Sequence, residues 1–350
     1  MDAATLSRVQ GAWFGVFVGD ALGTTLEFMP KPSKRAAIGH WHDEITGGGP
    51  FGLEPGDWTD DGAMTLCLAN ALSWDTPPNM DLRRQLAFYL RWRNEGWCSS
   101  NGRCFDIGNQ TAQALAKFDA TASLVAPEAP QGQGNGALMR AVPVPIWLLP
   151  WHLNEPQIMA GQSVAGADQD LGGRQATLLN SLVRDDARFP VRASAYAQAC
   201  ATTHNNPVCI AAAVIYSELV LSALFGLSRQ QLLDQGTKLV SRAQEHHPEF
   251  GHVRQALTGD VFWEQLKPTG WVIHSLAIAC WALRSFENFE EGLIEVVNLR
   301  GDADTNGAIY GGLAGACFGI DAFPKKWRRR LKHQEQLADA LEATIARASH

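Results

Sequence analysis

Two short segments, one near each end of the chain, combine paired aspartates with a threonine. The first is Thr59-Asp60-Asp61 and the second is Asp302-Ala303-Asp304-Thr305. Adjacent carboxylates repel each other unless a cation lies between them, and hard divalent cations such as Mg²⁺ prefer oxygen ligands of this kind. Neither segment alone supplies enough ligands, but together they supply four carboxylates and two hydroxyls. The pattern therefore predicts two Mg²⁺ or Mn²⁺ ions, with water completing their shells, in the site of a hydrolase.

Helix capping is the structural alternative for both segments. Each precedes a run of apolar or small residues with helical character, and Thr or Asp at such a place is a good N-cap. Asp also suits the positive end of the helix dipole. Capping would account for one of the three polar residues in the first segment, but not for two neighbouring carboxylates. An EF-hand is excluded, because its further oxygen ligands are absent.

Two glycine-rich helices offer a way to bring the acidic segments together. Glycine recurs at every fourth residue in two stripes, one formed by Gly11, Gly15, Gly19 and Gly23 and the other by Gly307, Gly311, Gly315 and Gly319. Glycine inside a helix costs roughly 1 kcal/mol relative to alanine, so the repeat indicates a packing requirement. A stripe without side chains lets two helix backbones approach closely. Caps or turns would explain Gly23 and Gly319, but we predict that the two helices share one core.

Helical periodicity dominates the rest of the chain and predicts an all-α fold in a single domain over residues 1–350. The predicted helices span residues 6–23, 61–74, 81–95, 109–118, 135–148, 157–184, 190–202, 207–225, 228–246, 271–286, 289–299, 304–318 and 333–348. Residues 40–56 and 120–134 are predicted loops. Residues 142–145 alternate as a strand would, but their two prolines argue against a strand.

Composition and charge exclude several classes of protein. Of the 350 residues, 46% are hydrophobic and 19% are charged, which is typical of a globular fold. The net charge of -7 argues against a nucleic-acid or anionic-membrane partner, and the basic run 325–330 is predicted to be solvated surface. The seven cysteines include no Cys-x-x-Cys pair, so we expect neither a disulfide framework nor a zinc ribbon. The apolar segment 11–26 is too short and polar for a membrane span, and we expect a cytoplasmic monomer.

Four motifs, in this order, resemble those of the ADP-ribosylglycohydrolase family. They are Gly19-Asp20-Ala21-Leu22-Gly23 with Glu27-Phe28, then Gly56-Asp57-Trp58-Thr59-Asp60-Asp61, then Gly134-Asn135-Gly136-Ala137-Leu138-Met139-Arg140, then Gly301-Asp302-Ala303-Asp304-Thr305. The resemblance covers about residues 8–331 and is strongest to the bacterial dinitrogenase-reductase-activating glycohydrolases, which are of the ADP-ribosylarginine hydrolase type. It implies an orthogonal helical bundle with a central cleft that holds two Mg²⁺ or Mn²⁺ ions. It also implies hydrolysis of the N-glycosidic bond that joins ADP-ribose to a protein side chain, typically arginine, which reverses mono-ADP-ribosylation.

The resemblance further implies roles for individual residues. The implied metal ligands are Thr59, Asp60, Asp61, Asp302, Asp304 and Thr305. The implied catalytic residues are Glu27, Asp61 and Asp304, with Glu27 beside the metals and the reacting ribose. The implied substrate contacts are Asp106, Asn109, Gly134, Asn135, Gly136, Met139, Arg140, His204 and Trp271. Asp106 would face the leaving guanidinium, and the Gly-Asn-Gly turn would direct backbone N–H groups at a phosphate or ribose.

Several of these residues also have ordinary structural explanations. Asp106 could be the N-cap of the helix at 109, His204 a cap or surface residue, and Arg140 an internal ion-pair partner. Trp271 is one of 12 tryptophans and could belong to the core. Some arginine-specific relatives carry a glutamate shortly before the Gly-Asn-Gly turn, where this chain has Gln131 and Gln133. That departure leaves the arginine preference open.

Two other functions are compatible with the same motifs. One is a non-catalytic ADP-ribose-binding protein, such as an immunity factor against an ADP-ribosylating toxin. The other is a hydrolase of a different linkage, such as O-linked serine, a small molecule or nucleic acid. All six expected ligands are present, which favours an enzyme whose partner is an ADP-ribosylated protein.

Overall fold

The computed structural model describes residues 1–154, 186, 188–259 and 261–347. These residues form an all-α fold of fourteen α-helices without a strand, as the periodicity predicts. The helices are α1 (Ala3–Gly23), α2 (Asp60–Leu72), α3 (Leu82–Glu95), α4 (Asn109–Thr121), α5 (Pro143–Asn154), α6 (Phe189–Ala201), α7 (Pro207–Leu224), α8 (Arg229–His246), α9 (Gly251–Thr258), α10 (Val272–Ser285), α11 (Phe289–Val297), α12 (Ala303–Phe318), α13 (Lys325–Arg330) and α14 (Gln334–Arg347). The helix predicted over 157–184 lies outside the described residues.

The helix predicted over 135–148 is wrong at its start. The chain makes hydrogen-bonded turns through residues 136–140, and α5 begins only at Pro143. Proline has no N–H to continue a preceding helix, whereas its fixed φ suits the first helical position.

Two short helices, α9 and α13, were not predicted. The basic run does lie at the surface as expected, but α13 also buries Trp327, whose indole donates to the backbone oxygen of Asp43 at 2.8 Å.

The two glycine stripes lie against each other, which confirms their predicted pairing. α1 and α12 run antiparallel, and a Cβ added to Gly15 would overlap the carbonyl oxygen of Gly311, as one added to Gly311 would overlap that of Gly15. The same relation joins Gly19 to Gly307. Backbone therefore packs directly on backbone along most of both helices, so the chain start and the chain end share the core.

A second central element, α7, supplies much of the remaining core. By length and composition this helix could cross a membrane, with a mean hydropathy of 1.9, but 94% of it is buried inside the fold. It packs against α1, α5, α6, α8, α10 and α12. Contact with protein on all sides accounts for a helix that is apolar around its whole circumference.

Substitution at the helix contact tests this packing. Gly15→Ala and Gly311→Ala should each lower the free energy of unfolding by about 1–3 kcal/mol, because an added methyl forces the two backbones apart. Gly39→Ala is the control, since an added Cβ there meets nothing within 4 Å. Urea denaturation measures the difference, and an unchanged stability of both stripe variants would contradict direct backbone contact.

Candidate metal centre and cleft

The contact between α1 and α12 places the two acidic segments side by side. The hydroxyl of Thr59 donates to Asp61 Oδ2 at 3.0 Å, and the hydroxyl of Thr305 approaches the same oxygen at 3.4 Å. Asp60 is buried in the first turn of α2, and its pKa is raised by this burial first and then by the charges of Asp106 and Asp304. The structure thus brings all six predicted metal ligands into one region.

Asp20 belongs to the first of the four motifs, but the sequence did not predict its role. Its carboxylate accepts the backbone N–H groups of Thr59 at 2.9 Å and Gly62 at 2.9 Å, and also the Thr59 hydroxyl at 3.0 Å. These are the free donors at the start of α2. A buried carboxylate of α1 therefore caps α2, while the local N-cap residue Thr59 makes no side-chain capping bond.

Glu27 does the same for α12. Its Oε2 accepts the backbone N–H groups of Ala303 at 2.6 Å and Asp304 at 3.4 Å. The local N-cap, Asp302, makes no side-chain capping bond. Backbone bonds fix this arrangement, because Phe28 donates to Gly301 at 2.7 Å. Glu27 is therefore buried rather than a surface residue at a helix end.

The carboxylates form two groups of cation-binding size that share Asp304. One consists of Asp20, Asp61 and Asp304, and the other of Glu27, Asp302 and Asp304, each with its oxygens within 4.8 Å of one another. Asp61 Oδ1 and Asp304 Oδ2 are buried without a hydrogen-bond partner. Oxygens of this kind need a compensating ligand. The donor set therefore fits two hard divalent cations, with Asp20 and Glu27 added to the predicted ligands.

Burial and mutual repulsion raise the pKa values of these carboxyls. Burial first, and then the charge of Asp304, raise the pKa of Asp20 to about 8, of Asp302 to about 7 and of Glu27 to about 12. Burial and Asp304 also raise the pKa of Asp106 to about 8. The carboxyls can all be ionised at neutral pH only if positive charge lies among them.

The Gly-Asn-Gly turn is built differently from the expectation. The Gly134 N–H donates to Gln110 Oε1 at 2.9 Å and the Asn135 N–H to Gly270 at 3.0 Å, so neither points at a bound phosphate. The Asn135 side chain donates to Asp302 Oδ2 at 2.6 Å. The turn therefore supports a metal-site carboxylate. Gln110 is a second residue that sequence reasoning missed, since a lone glutamine carries no local signal.

Two predicted substrate contacts lie behind this turn. Met139 is buried in the core. Arg140 is also buried, and its guanidinium donates to Tyr89 at 2.8 Å, to Thr203 at 2.6 Å and to the backbone oxygen of Gly136. Arg140 therefore supports the turn, and the roles of Met139 and Arg140 in substrate binding stay predictions. Within the described residues these bonds of Arg140 are to neutral oxygens, and no ion pair of Arg140 is found among them.

The four remaining predicted substrate contacts are Asp106, Asn109, His204 and Trp271. Asp106 is half-buried and is not a cap, because the N-cap of α4 is Gly108, and Asn109 is exposed in the first turn of that helix. His204 lies beneath the turn, and burial followed by the charge of Arg140 lowers its pKa to about 3. The N-cap of α7 is Asn206, so His204 is not a cap either. Trp271 is half-buried and donates to Gln133 Oε1 at 2.7 Å.

Comparisons with known proteins identify one family. A family model described as ADP-ribosylglycohydrolase matches residues 1–183 and 176–350. The chain is 28% identical to ADP-ribosylarginine hydrolase Tri1 of Serratia proteamaculans (strain 568), over 97% of this chain and 80% of that protein. It is 27% identical to the ADP-ribosyl-[dinitrogen reductase] glycohydrolase of Rhodospirillum rubrum, over 97% and 96% of the two chains. A solved ADP-ribosylglycohydrolase-related protein complex matches with a TM-score of 0.73 and 30% identity, over 99% of each chain.

The raised pKa values predict how stability depends on pH and metal. A carboxyl whose folded-state pKa exceeds its unfolded value of about 3.9 binds more protons when folded, so stability is greatest at low pH and falls as pH rises through about 7–8. After chelation, Tm should therefore drop between about pH 6 and about pH 9, and Mg²⁺ or Mn²⁺ should raise Tm more at the higher pH. Thermal denaturation checks this expectation, and equal shifts at both pH values would argue against a cation among these carboxyls.

Proposed function

The chain belongs to the ADP-ribosylglycohydrolase family, and on that premise we propose that it releases ADP-ribose from arginine side chains of modified proteins with the help of two Mg²⁺ or Mn²⁺ ions. The two carboxylate groups that share Asp304 carry the metal part of this proposal, because they leave two buried oxygens without partners. The relatives that are named as ADP-ribosylarginine hydrolases support the linkage.

The residues that would hold the two cations are those of the two groups, together with Asp60 and the hydroxyls of Thr59 and Thr305. Bound divalent cations would hold ribose hydroxyls and lower the pKa of a water molecule. Asp20 and Glu27 anchor the starts of α2 and α12, so the ligand carboxylates are fixed before substrate arrives. Asn135 adds a hydrogen bond that orients Asp302.

The chemical step breaks the bond between the anomeric carbon and the guanidinium nitrogen. The bonding pair leaves with the nitrogen, so the cationic side chain departs as neutral guanidine and positive charge develops on the ribose, as in glycoside hydrolysis generally. The surrounding carboxylates stabilise that charge. Water adds to the anomeric carbon, Glu27 takes its proton, and the released guanidine is then protonated to guanidinium. Glu27 suits this role because it lies beside both Asp302 and Asp304.

Asp106 would interact with the arginine side chain that is the leaving group. Its pKa is raised partly by the charges of Asp304 and Asp20, so it lies within electrostatic reach of the metal centre. A carboxylate there would attract a cationic arginine. Gln131 and Gln133 stand where some arginine-specific relatives have a glutamate, and Gln133 is engaged by Trp271. Asp106 would therefore supply the negative charge for arginine recognition.

Side-by-side substrates test the linkage. Peptides carrying ADP-ribose on arginine or on serine should be incubated with the protein and Mg²⁺ or Mn²⁺, and free ADP-ribose measured by chromatography. We expect turnover of the arginine-linked peptide. Turnover of the serine-linked peptide alone would establish the second linkage instead, and binding of ADP-ribose without any turnover would favour the immunity-type alternative.

Replacement of one ligand tests the role of the metal centre. Asp302→Ala should lower kcat by more than about 100-fold, since loss of an outer residue that only orients a ligand already costs about 10–100-fold. Circular dichroism should show an intact fold. Asp234→Ala, on the exposed face of α8, is the matched control. Full activity of Asp302→Ala, or of the wild type after exhaustive chelation, would rule out the metal mechanism.

A further inference from the structure

Three phenylalanine rings form a continuous arc of ring contacts. The rings of Phe28 and Phe51 are 6.2 Å apart, and those of Phe51 and Phe105 are 5.3 Å apart. Phe28 follows α1, Phe51 lies in the glycine-rich turn before α2, and Phe105 precedes α4. Three segments distant in sequence thus converge on one aromatic surface, which we call the phenylalanine arc.

Each end of the phenylalanine arc is one residue away in sequence from a carboxylate that interacts with Asp304. Phe28 directly follows Glu27, which caps α12. Phe105 directly precedes Asp106, whose pKa is raised by burial and then by the nearby charge of Asp304. Both ends of the arc thus adjoin, along the chain, carboxylates of the acidic region.

Phe28 is kept at the surface in a costly conformation. Its residue is 65% exposed, and its φ of 60° lies in the left-handed region, which a bulky residue rarely adopts. Backbone bonds hold it there: its N–H donates to Gly301 at 2.7 Å, and the Gly301 N–H donates to Met29 at 2.9 Å. Packing of the core does not explain an exposed ring in such a position, whereas a role in binding does.

The central ring of the arc is also held in place. The turn that carries Phe51 is closed by two backbone bonds between Gly48 and Leu53, at 2.7 and 2.9 Å. Thr25, just after α1, donates from its hydroxyl to Gly47 at 2.8 Å and ties the turn to the helix end. Residues 47–53 are thus a hydrogen-bonded turn, more ordered than the loop that the sequence predicts.

We propose that the phenylalanine arc is the subsite for the planar guanidinium group of the target arginine, and this rests on the proposed function for the direction of the substrate. A guanidinium binds well on aromatic faces and beside carboxylates. The arc offers phenyl rings, and the neighbouring Asp106 offers negative charge. A serine-linked substrate has no cation at this place, so the arc would distinguish the two linkages.

Replacement of the rings by leucine tests the proposal, because leucine keeps apolar bulk but removes the aromatic face. In Phe28→Leu and Phe105→Leu, KM for the arginine-linked peptide should rise about threefold per ring, with kcat and ADP-ribose affinity nearly unchanged. Phe28→Trp should retain the wild-type KM. Trp74→Ala is the matched control, since Trp74 is also 65% exposed but follows the opposite end of α2 from Asp60.

A binding measurement separates this proposal from the proposed function. Ethylguanidinium and its neutral isostere ethylurea are titrated by NMR into protein saturated with ADP-ribose and Mg²⁺. The wild type should prefer the cation, and each leucine variant should lose about threefold of that preference. If the wild type prefers the cation but does not hydrolyse the arginine-linked peptide, the proposed function is wrong and the subsite proposal stands. Leucine variants with the wild-type preference, or an equal loss in Trp74→Ala, would overturn the subsite.

Discussion

The structure depends on the direct contact of two helix backbones. Because α1 and α12 have glycine at each crossing point, nothing but main chain separates them. Their register then fixes the positions of the acidic residues where the end of α1 lies beside the start of α12. Asp20 comes next after a contact glycine of α1, and Thr305 comes two residues before a contact glycine of α12. A shift of one helical turn, about 5.4 Å, would separate the carboxylates from each other by more than a cation can bridge.

The same contact explains how so many carboxyls can be buried together. Two of them do not rely on metal alone, because Asp20 accepts the free N–H groups of α2 and Glu27 accepts those of α12. The positive ends of two helices thus offset part of the negative charge. Asp61 and Asp304 each keep one buried oxygen without a hydrogen-bond partner. The centre is therefore arranged for cations and remains under repulsion without them.

Much of this could be predicted from the sequence, and the failures have physical causes. The glycine stripes predicted the helix pairing because a periodic absence of side chains has no other common purpose. The acidic segments were conspicuous because neighbouring aspartates repel. The roles of Asp20, Gln110 and Asn135 were not predictable, since each acts on a residue far away in sequence. The burial of Met139 and Arg140 was not predictable either, because a motif shows that residues belong to a site without showing which way their side chains face.

The long separation of the paired helices along the sequence also has a consequence for the synthesis of the protein. Gly11 packs on Gly315, so α1 emerges from the ribosome some three hundred residues before its partner exists. At roughly 5–20 residues per second this delay is on the order of tens of seconds. During that time the glycine face of α1 has no surface to cover it, and the pairing has the high contact order that slows folding. Assembly of the acidic centre is therefore a late event in synthesis, since α1 has to wait for α12 before the carboxylates can come together.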